Sequence, residues 1–436
     1  MATNTWIGTT NSWNTSGNWS GGIPTASDDV IFDASGNNPC TLDINAEAQS
    51  IDFQPSYTAN FDAATFNVEC ENITISSGGT IDLGSGIWTI SGNWDASGFT
   101  GGVWTYGTST TILTGDAKTI NVNSITRKFY QLTISGDTAS IYAGSLYSYG
   151  DLTIDDGKTL TMSGSLWCYK NITIAGEWTG NSVMYWIGGS GYTLDASAGV
   201  ISVARIYVYF DGGTLTPATY DCQFRFFATS ASRTGTLSAG NYIFNDDLYF
   251  NPSTSGDIIV NAVSGTNIEC VEDVIWLEAG TGTATFNKSD GTILFSGTGQ
   301  NIDWDDQDLG LVDVSGTITL DNDLTISNDS TGISNITQGA YRIKYIVPDA
   351  TDGGIVGGVG AISQNWLIAM INPTYDVSNF LLSVPIGGVA GDLPLTTTYN
   401  GVEVPNNTTT YDGGLLLIQS KVDLSTTTEN KYEVKS

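Results

Sequence analysis

The sequence predicts an all-β fold, a parallel β-solenoid (parallel β-helix) in which successive coils of the chain stack on one another. Three observations predict it: blocks of equal length that begin with nearly the same letters, apolar residues that alternate with polar ones inside each block, and 52 glycines among many Ser, Thr and Asn residues. The 436 residues exceed what one compact core usually holds. The chain is therefore either several domains or one elongated repeat, and the repeated blocks favour the repeat.

The repeat is clearest in three consecutive 20-residue blocks, which begin at Gln131, Asp151 and Asn171 with QLTI, DLTI and NITI. Alternate side chains of an extended chain point to opposite faces, so the second and fourth residues of each tetrad share one face and its Thr faces outward. The predicted core columns are Leu132, Leu152 and Ile172, and Ile134, Ile154 and Ile174. One block cannot bury these residues alone, whereas stacked coils can, so each block is one coil.

The same tetrad recurs at less regular spacing. It begins at Asn72, Asp247, Asp273 and Asp323. Irregular spacing indicates loops inserted at the corners of the coils. At about 20 residues per coil, residues 61–345 would form roughly 14 coils of the solenoid.

Two end segments depart from the repeat. Residues 1–60 are predicted to form a cap and the first strands, because Trp6, Trp13 and Trp19 precede the first apolar strand and bulky rings suit the open end of a solenoid. From residue 346 the tetrads stop, and half of the ten prolines lie beyond that point. Residues 346–436 are therefore predicted to form a small C-terminal β domain.

Apolar runs in the C-terminal segment lead to a prediction about assembly. The runs are NWLIAMI, FLLSVPI and GLLLIQS. They are dense enough for a domain core or for an interface between subunits. Because symmetric copies let weak contacts add up, and closed symmetry supplies such copies most simply, we expect a homo-oligomer, most simply a trimer.

Charge and composition limit the functions that are open to the chain. With 14 Lys and Arg against 45 Asp and Glu, the formal net charge is −31, and no cluster of basic residues suits a phosphate backbone, so nucleic-acid binding is not expected. The sequence contains no run of about 20 apolar residues, so membrane insertion is not expected.

The five cysteines lack metal-ligand spacing, so buried free thiols are expected. The chain has no His, which excludes His-based catalysis, and no cofactor is expected.

An acidic cluster, DWDDQD, leaves three alternatives open. It contains Asp303, Asp305, Asp306 and Asp308 around Trp304. It could be a solvated loop, a Ca²⁺ site made by hard oxygen ligands, or a pair of catalytic acids beside a Trp on which a sugar stacks. The solvated loop is the simplest of these, so we assign the chain neither catalytic nor metal-binding residues.

Aromatic residues recur at the same 20-residue step. Stepping from Phe129 leads to Tyr149, Tyr169, Tyr209 and Tyr249, with Gly189 and Thr229 as the two steps that give no aromatic residue. A neighbouring column holds Tyr147, Trp167, Tyr207 and Phe227. The columns could be a stack inside the coils or an exposed face that contacts a glycan or a neighbouring subunit. The candidate contact residues are Tyr147, Tyr149, Trp167, Tyr169, Tyr207 and Tyr209.

Several of these stretches together resemble a known class of proteins. NWSGGIPTASDDVIFD, followed by FTGGVWTYGTSTTILTGDAKTI and FYQLTISGD, resembles the repetitive β-solenoid regions of bacteriophage virion appendages and bacterial surface adhesins, over residues 6–330. The resemblance implies a non-enzymatic structural protein, with a polysaccharide depolymerase or an adhesin as alternatives.

The start of the sequence bears on the choice between a virion protein and an adhesin. MATNTWIGTTNSW has neither a basic segment nor an apolar segment of the kind that begins a secretory signal. We therefore expect a virion protein that is made in the host cytoplasm: a tail fibre, spike or capsid-surface decoration. Its expected partners are other virion proteins and a glycan of the host surface.

Overall fold

The structure is a computed structural model. It describes residues 2–100, 102–122, 128–140, 145–228, 231–252, 256–277, 281–305, 307–327, 330–332, 335–337, 341, 343–346, 367–369, 395–399, 402–405, 416–418 and 432–434. The predicted fold class is confirmed, because the chain is an all-β parallel solenoid of about 14 turns. It divides into two compact units, Met1–Arg225 and Phe226–Ser436.

The first unit contains short strands and two 3₁₀ turns, Ser16–Asn18 and Ala34–Gly36. Its strands are β1 (Ala2–Thr5), β2 (Asp28–Phe32), β3 (Cys40–Thr41), β4 (Ala46–Phe53), β5 (Phe61–Asp62), β6 (Val68–Ile75), β7 (Ile81–Asp82), β8 (Ile87–Ile90), β9 (Trp94–Asp95), β10 (Trp104–Thr105), β11 (Thr110–Leu113), β12 (Lys118–Asn121), β13 (Gln131–Ile134), β14 (Thr138–Ser140), β15 (Ser145–Ser148), β16 (Leu152–Ile154), β17 (Thr159–Met162), β18 (Ser165–Cys168), β19 (Ile172–Ile174), β20 (Glu177–Gly189), β21 (Thr193–Asp195), β22 (Val200–Asp211), β23 (Thr214–Leu215) and β24 (Thr219–Tyr220).

Strand β25 (Gln223–Phe227) spans the boundary between the units. The strands of the second unit are β26 (Arg233–Leu237), β27 (Gly240–Phe244), β28 (Leu248–Asn251), β29 (Ile258–Ala262), β30 (Thr266–Cys270), β31 (Val274–Trp276), β32 (Ala284–Asn287), β33 (Thr292–Phe295), β34 (Thr298–Ile302), β35 (Leu311–Val314), β36 (Thr317–Leu320), β37 (Leu324–Ser327), β38 (Ile336–Thr337), β39 (Ile343–Ile346), β40 (Leu367–Ala369), β41 (Leu395–Tyr399), β42 (Val402–Pro405), β43 (Leu416–Ile418) and β44 (Tyr432–Val434).

Parallel pairing between β13, β16 and β19 confirms the predicted core columns. Leu152 lies in register with Leu132 on one side and with Ile172 on the other. All six residues of the two columns are at most 1% exposed. The Thr between them faces outward in each strand. One coil consists of the three strands β16, β17 and β18. In the next coil a single long strand, β20, pairs with both β17 and β18.

Asp151 and Asn171, which open two of the tetrads, each bind the backbone of the next coil. Asp151 Oδ1 accepts a hydrogen bond from the backbone amide of Asn171 at 3.1 Å, and Asn171 Oδ1 accepts one from the amide of Thr193 at 3.0 Å. A backbone amide at a corner needs a hydrogen-bond partner, and a short Asp or Asn side chain can supply it. The Asp or Asn at the start of these tetrads is therefore explained by the hydrogen bond that its side chain accepts from the next coil.

Corner carboxylates of the second unit titrate below their ordinary range. Asp257 accepts hydrogen bonds from the Thr283 amide and from the Thr283 and Ser232 hydroxyls. Asp290 accepts them from the Gly265 amide and the Ser264 hydroxyl. These donors favour the ionised carboxylates and hold the pKa of both groups below the usual value.

A dependence of stability on pH follows from these corners. A carboxyl whose pKa is lower in the folded state adds stability that is fully present above the unfolded pKa, about 3.9 for Asp, and is lost as pH falls through the folded pKa. We expect the melting temperature to fall in that acidic range, and to fall less steeply in Asp257→Asn, which keeps an accepting oxygen. Thermal denaturation followed by circular dichroism over descending pH measures this. Asp321→Asn, at an exposed carboxylate, is the control and should leave the slope unchanged; an unchanged slope in Asp257→Asn would contradict the assignment.

The predicted aromatic cap is present at the start of the first unit. The rings of Trp6 and Trp13 lie 5.0 and 4.7 Å from that of Trp19, and all three contact Phe32, the last residue of β2. The three Trp side chains are at most 3% exposed. They cover the first coil of the solenoid.

The cap also covers a strand edge that the sequence analysis did not predict. Strand β1 pairs parallel with β2, and its other edge meets residues 18–20, with the Ser20 amide donating to the Thr5 carbonyl at 3.0 Å. Asn18 is buried and fixes this segment: its Oδ1 accepts from the amides of Thr9 and Thr10, both at 2.8 Å. The chain itself thereby covers the Thr5 end of this sheet edge.

The C-terminal segment is described only in part. Strand β40 pairs parallel with β39, whereas β41 with β42 and β43 with β44 form antiparallel pairs. Most of the apolar runs behind the trimer prediction lie outside the described residues. Oligomeric state and the domain boundaries at residues 60 and 345 stay predictions.

Candidate binding face

Four neighbouring strands of the first unit, β15, β18, β20 and β22, present aromatic rings outward. Their inward positions are filled by apolar residues that are at most 1% exposed: Leu146, Leu166, Met184 and Ile206. The next residue of each strand faces outward and is partly exposed. These residues are Tyr147, Trp167, Tyr185 and Tyr207, which lie in register with one another. We call this set the first aromatic column.

The rings of the first aromatic column stack face to face. Centroid distances are 5.9 Å from Tyr147 to Trp167, 4.0 Å from Trp167 to Tyr185 and 5.0 Å from Tyr185 to Tyr207, with interplanar angles between 3° and 12°. Each ring covers the face of the next one. The edges of the rings are therefore what the column offers to a partner.

A second aromatic column runs beside the first. It consists of Tyr106, Tyr149 and Tyr169, with stacked rings at 5.2 and 4.5 Å. Tyr209 lies further along, opposite Ile187 in the pairing of β20 with β22, and its ring is tilted at 6.2 Å from that of Tyr185. We call the two columns together with Tyr209 the aromatic face.

Basic side chains lie against these rings. Lys128 Nζ donates to the Tyr149 hydroxyl at 2.7 Å and lies 4.5 Å from the centroid of that ring. Arg205 donates to the Tyr207 hydroxyl at 3.1 Å, and the Arg225 guanidinium lies 5.7 Å from the Tyr207 ring. Such contacts combine hydrogen bonding with attraction between a cation and a ring.

A fourth cation, Lys170, lies at the corner beside the columns. Its Nζ donates to the Tyr130 hydroxyl at 2.9 Å, and this hydrogen bond raises the pKa of the ammonium, which stays charged at neutral pH. Burial, followed by the neighbouring Tyr207, raises the pKa of Tyr185. The Tyr185 phenol therefore stays neutral at neutral pH and does not cancel the charge of a nearby cation.

All six candidate contact residues point outward, so the alternative of a stack inside the coils is wrong for them. Alternation places Tyr147, Trp167 and Tyr207 in one row and Tyr149, Tyr169 and Tyr209 in the next. Phe129, from which the 20-residue step started, is instead fully buried opposite Ser148. It belongs to the core.

Tyr185, which stacks most closely on Trp167, is not among the residues predicted from the 20-residue step. The two lie in register although they are 18 residues apart, so a step of 20 residues passes over Tyr185 and reaches Ile187. Alternation within the strand was the usable signal, since VMYWIG has the same inward and outward pattern as SLWCYK.

The acidic cluster does not form a sugar platform, which was one of the three alternatives for it. Trp304 is 1% exposed and packs against Phe250, Phe286 and Phe295, so a sugar cannot stack on it. Asp308 forms an ion pair with Lys288. Asp306 lies outside the described residues, and among those that are described no group of carboxylates or thiols could hold a metal ion.

The cysteines agree with the prediction of buried free thiols. All five are free and buried. Burial raises the pKa of Cys70 to about 12, so this thiol stays protonated at neutral pH.

Comparison with protein-family models, with curated proteins and with solved structures gives no significant match to this chain. Across the described part of the chain, no helix has both the length and the apolar character needed to span a bilayer.

Proposed function

We propose that this chain is a non-catalytic structural protein of a surface appendage, of the bacteriophage-virion kind, and that its aromatic face contacts a host-surface glycan. The observation that carries the proposal is the outward position of the stacked rings. The sequence resemblance to virion appendages supports the placement on a virion.

The aromatic face is not needed to fill the core. Inward positions of the same strands already hold buried residues such as Trp186 and Phe210. Outward Tyr and Trp side chains give a large, rigid contact area at low entropic cost, and such residues are enriched where proteins meet partners. A row of ring edges and hydroxyls offers both apolar contact and hydrogen bonds, as a sugar requires.

The regular spacing of the rings from coil to coil suits a ligand made of repeating units, such as a polysaccharide. Successive coils place an equivalent ring about every 4.8 Å along the direction of stacking. A polysaccharide that lies along this direction would meet several rings at once. Weak contacts then add through a high effective concentration, without any single deep pocket.

The proposal predicts that Trp167→Ala and Tyr185→Ala weaken binding to polysaccharide extracted from host cells by at least about tenfold, since central aromatic residues dominate binding energy. Tyr249→Ala, at a partly exposed tyrosine of the second unit, is the matched control and should bind like the wild type. Biolayer interferometry measures the affinity, and circular dichroism checks the fold.

Three outcomes would contradict parts of this proposal. Equal binding by Trp167→Ala and the wild type would remove the aromatic face as the contact. Release of oligosaccharides during incubation would indicate a depolymerase instead of a non-catalytic protein. Failure of an antibody against the chain to label virions would remove the placement on the particle.

A further inference from the structure

We propose that the glycan bound by the aromatic face is acidic, that is, a polysaccharide carrying carboxylate or sulfate groups. This inference rests on the proposed function and adds the charge of the ligand. It is carried by the placement of Lys128, Lys170 and Arg205.

Basic residues are scarce in this chain and are concentrated at the aromatic face. The first 117 residues contain no Lys or Arg, and only seven of the 14 basic residues lie in the first unit, residues 1–225. Four of those seven contact tyrosine rings of this region: Lys128, Lys170, Arg205 and Arg225. Solubility alone gives no reason for this arrangement.

Three of these cations keep their charge available. Lys128, Lys170 and Arg205 form no ion pair with any described carboxylate, although Asp151 is near enough to Lys170 to help raise its pKa. In contrast, Lys158 of the same unit is paired with Asp116 at 2.8 Å. Their hydrogen-bond partners are neutral: tyrosine hydroxyls and, for Arg205, the Gln223 amide oxygen at 3.0 Å. Lysine has three donors and arginine five, so each retains donors for an anion.

The cations are spaced along the direction of stacking. Phe129 lies opposite Ser148, which places Lys128 one coil before Tyr147, and Arg205 shares strand β22 with Tyr207. Four steps between coils separate Lys128 from Arg205, or roughly 19 Å at about 4.8 Å per step. A polymer that follows the first aromatic column would therefore meet a positive charge at each end of it.

This spacing favours an acidic polysaccharide over a nucleic acid. Duplex DNA carries one charge per about 1.7 Å of its axis and is bound through many phosphate contacts. Three cations over roughly 19 Å match a polymer with sparser charges. The net charge of −31 repels any polyanion at long range, but at physiological salt this repulsion is screened beyond about 8 Å. Binding of a polyanion at the aromatic face therefore depends on the cations that lie there.

The test compares dextran with dextran sulfate, and adds polygalacturonate as a carboxylate polymer and single-stranded DNA. The wild type is expected to bind dextran sulfate or polygalacturonate at least tenfold more tightly than dextran. The double variant Lys128→Gln/Arg205→Gln should lose most of that preference. Lys158→Gln, which removes a charge that is already paired, is the matched control and should keep it. Isothermal titration calorimetry gives the affinities, and circular dichroism confirms that each variant is folded.

Several results would overturn the inference. Equal binding to dextran and dextran sulfate, no loss in the double variant, an equal loss in Lys158→Gln, or comparable binding to DNA would each do so. If Trp167→Ala still abolishes binding to a neutral polysaccharide, the proposed function stands and only the charge preference fails. If the wild type binds none of the polysaccharides, including that of the host, both proposals fail.

Discussion

Replacing Ile154 by Asp is expected to prevent the first unit from folding. Ile154 is fully buried and lies in register with Ile134 and Ile174, one coil away on each side. A carboxylate at this position would lose its hydration among apolar side chains and would have no partner, a change that costs more than about 4 kcal/mol. Purification followed by circular dichroism and urea denaturation would show an unfolded or insoluble chain.

Thr153→Asp is the matched control for that experiment. Thr153 is the neighbour of Ile154 in the same strand and faces outward, so the same charge there stays hydrated. We expect a change of at most about 1 kcal/mol in the free energy of unfolding, because surface substitutions usually have small effects. Equal damage from both variants would show that burial is not what distinguishes the two positions.

Removing residues 1–27 is expected to lower the melting temperature sharply and to cause association. The deletion takes away the three Trp rings packed on Phe32 and leaves the edge of β2 without β1. A buried aromatic ring contributes at most roughly 5 kcal/mol of gross burial energy. An unpaired parallel edge is also a template for another chain. Light scattering and thermal denaturation would detect both effects.

A single substitution inside the cap provides the control. Gly17 lies in the same segment, and a methyl group at this position would meet no other atom within 4 Å. Gly17→Ala should therefore keep the wild-type mass and melting temperature. If the deletion also kept both, closing the end of the solenoid would not be the role of the three Trp residues.

The solenoid could be predicted because its repeat is visible in short stretches of the sequence. Each tetrad from Asn72 to Asp323 has the same alternation of polar and apolar residues. Because each coil packs between similar coils, the pattern of one coil predicts the structure of the next. Strand β1 was not predicted because its sequence, ATNT, shows no alternation of apolar and polar residues. It is a strand because β2 pairs along its whole length and Ser20 bonds to Thr5 on the other edge, and such long-range contacts leave no local signal.

The aromatic face was predictable only in part. The positions of Tyr147 and Trp167 followed from the constant coil length, but Tyr185 did not, since its coil is shorter. Whether the rings face inward or outward depends on the position of the corner between two strands, and the sequence does not determine that position. The contacts of Lys128 and Arg205 with the rings join residues on different coils and strands, so they became visible only in the folded chain.

The variable length of the coils has a consequence for how this protein can change. In-register neighbours are 18 residues apart at Trp167 and Tyr185 but 26 apart at Trp94 and Ile120, and parallel pairing holds in both cases. The difference is absorbed at the corners, while the strands keep their places. A foreign peptide grafted into a corner should therefore be displayed without disturbing the core, which makes this chain a scaffold on which new loops can be selected.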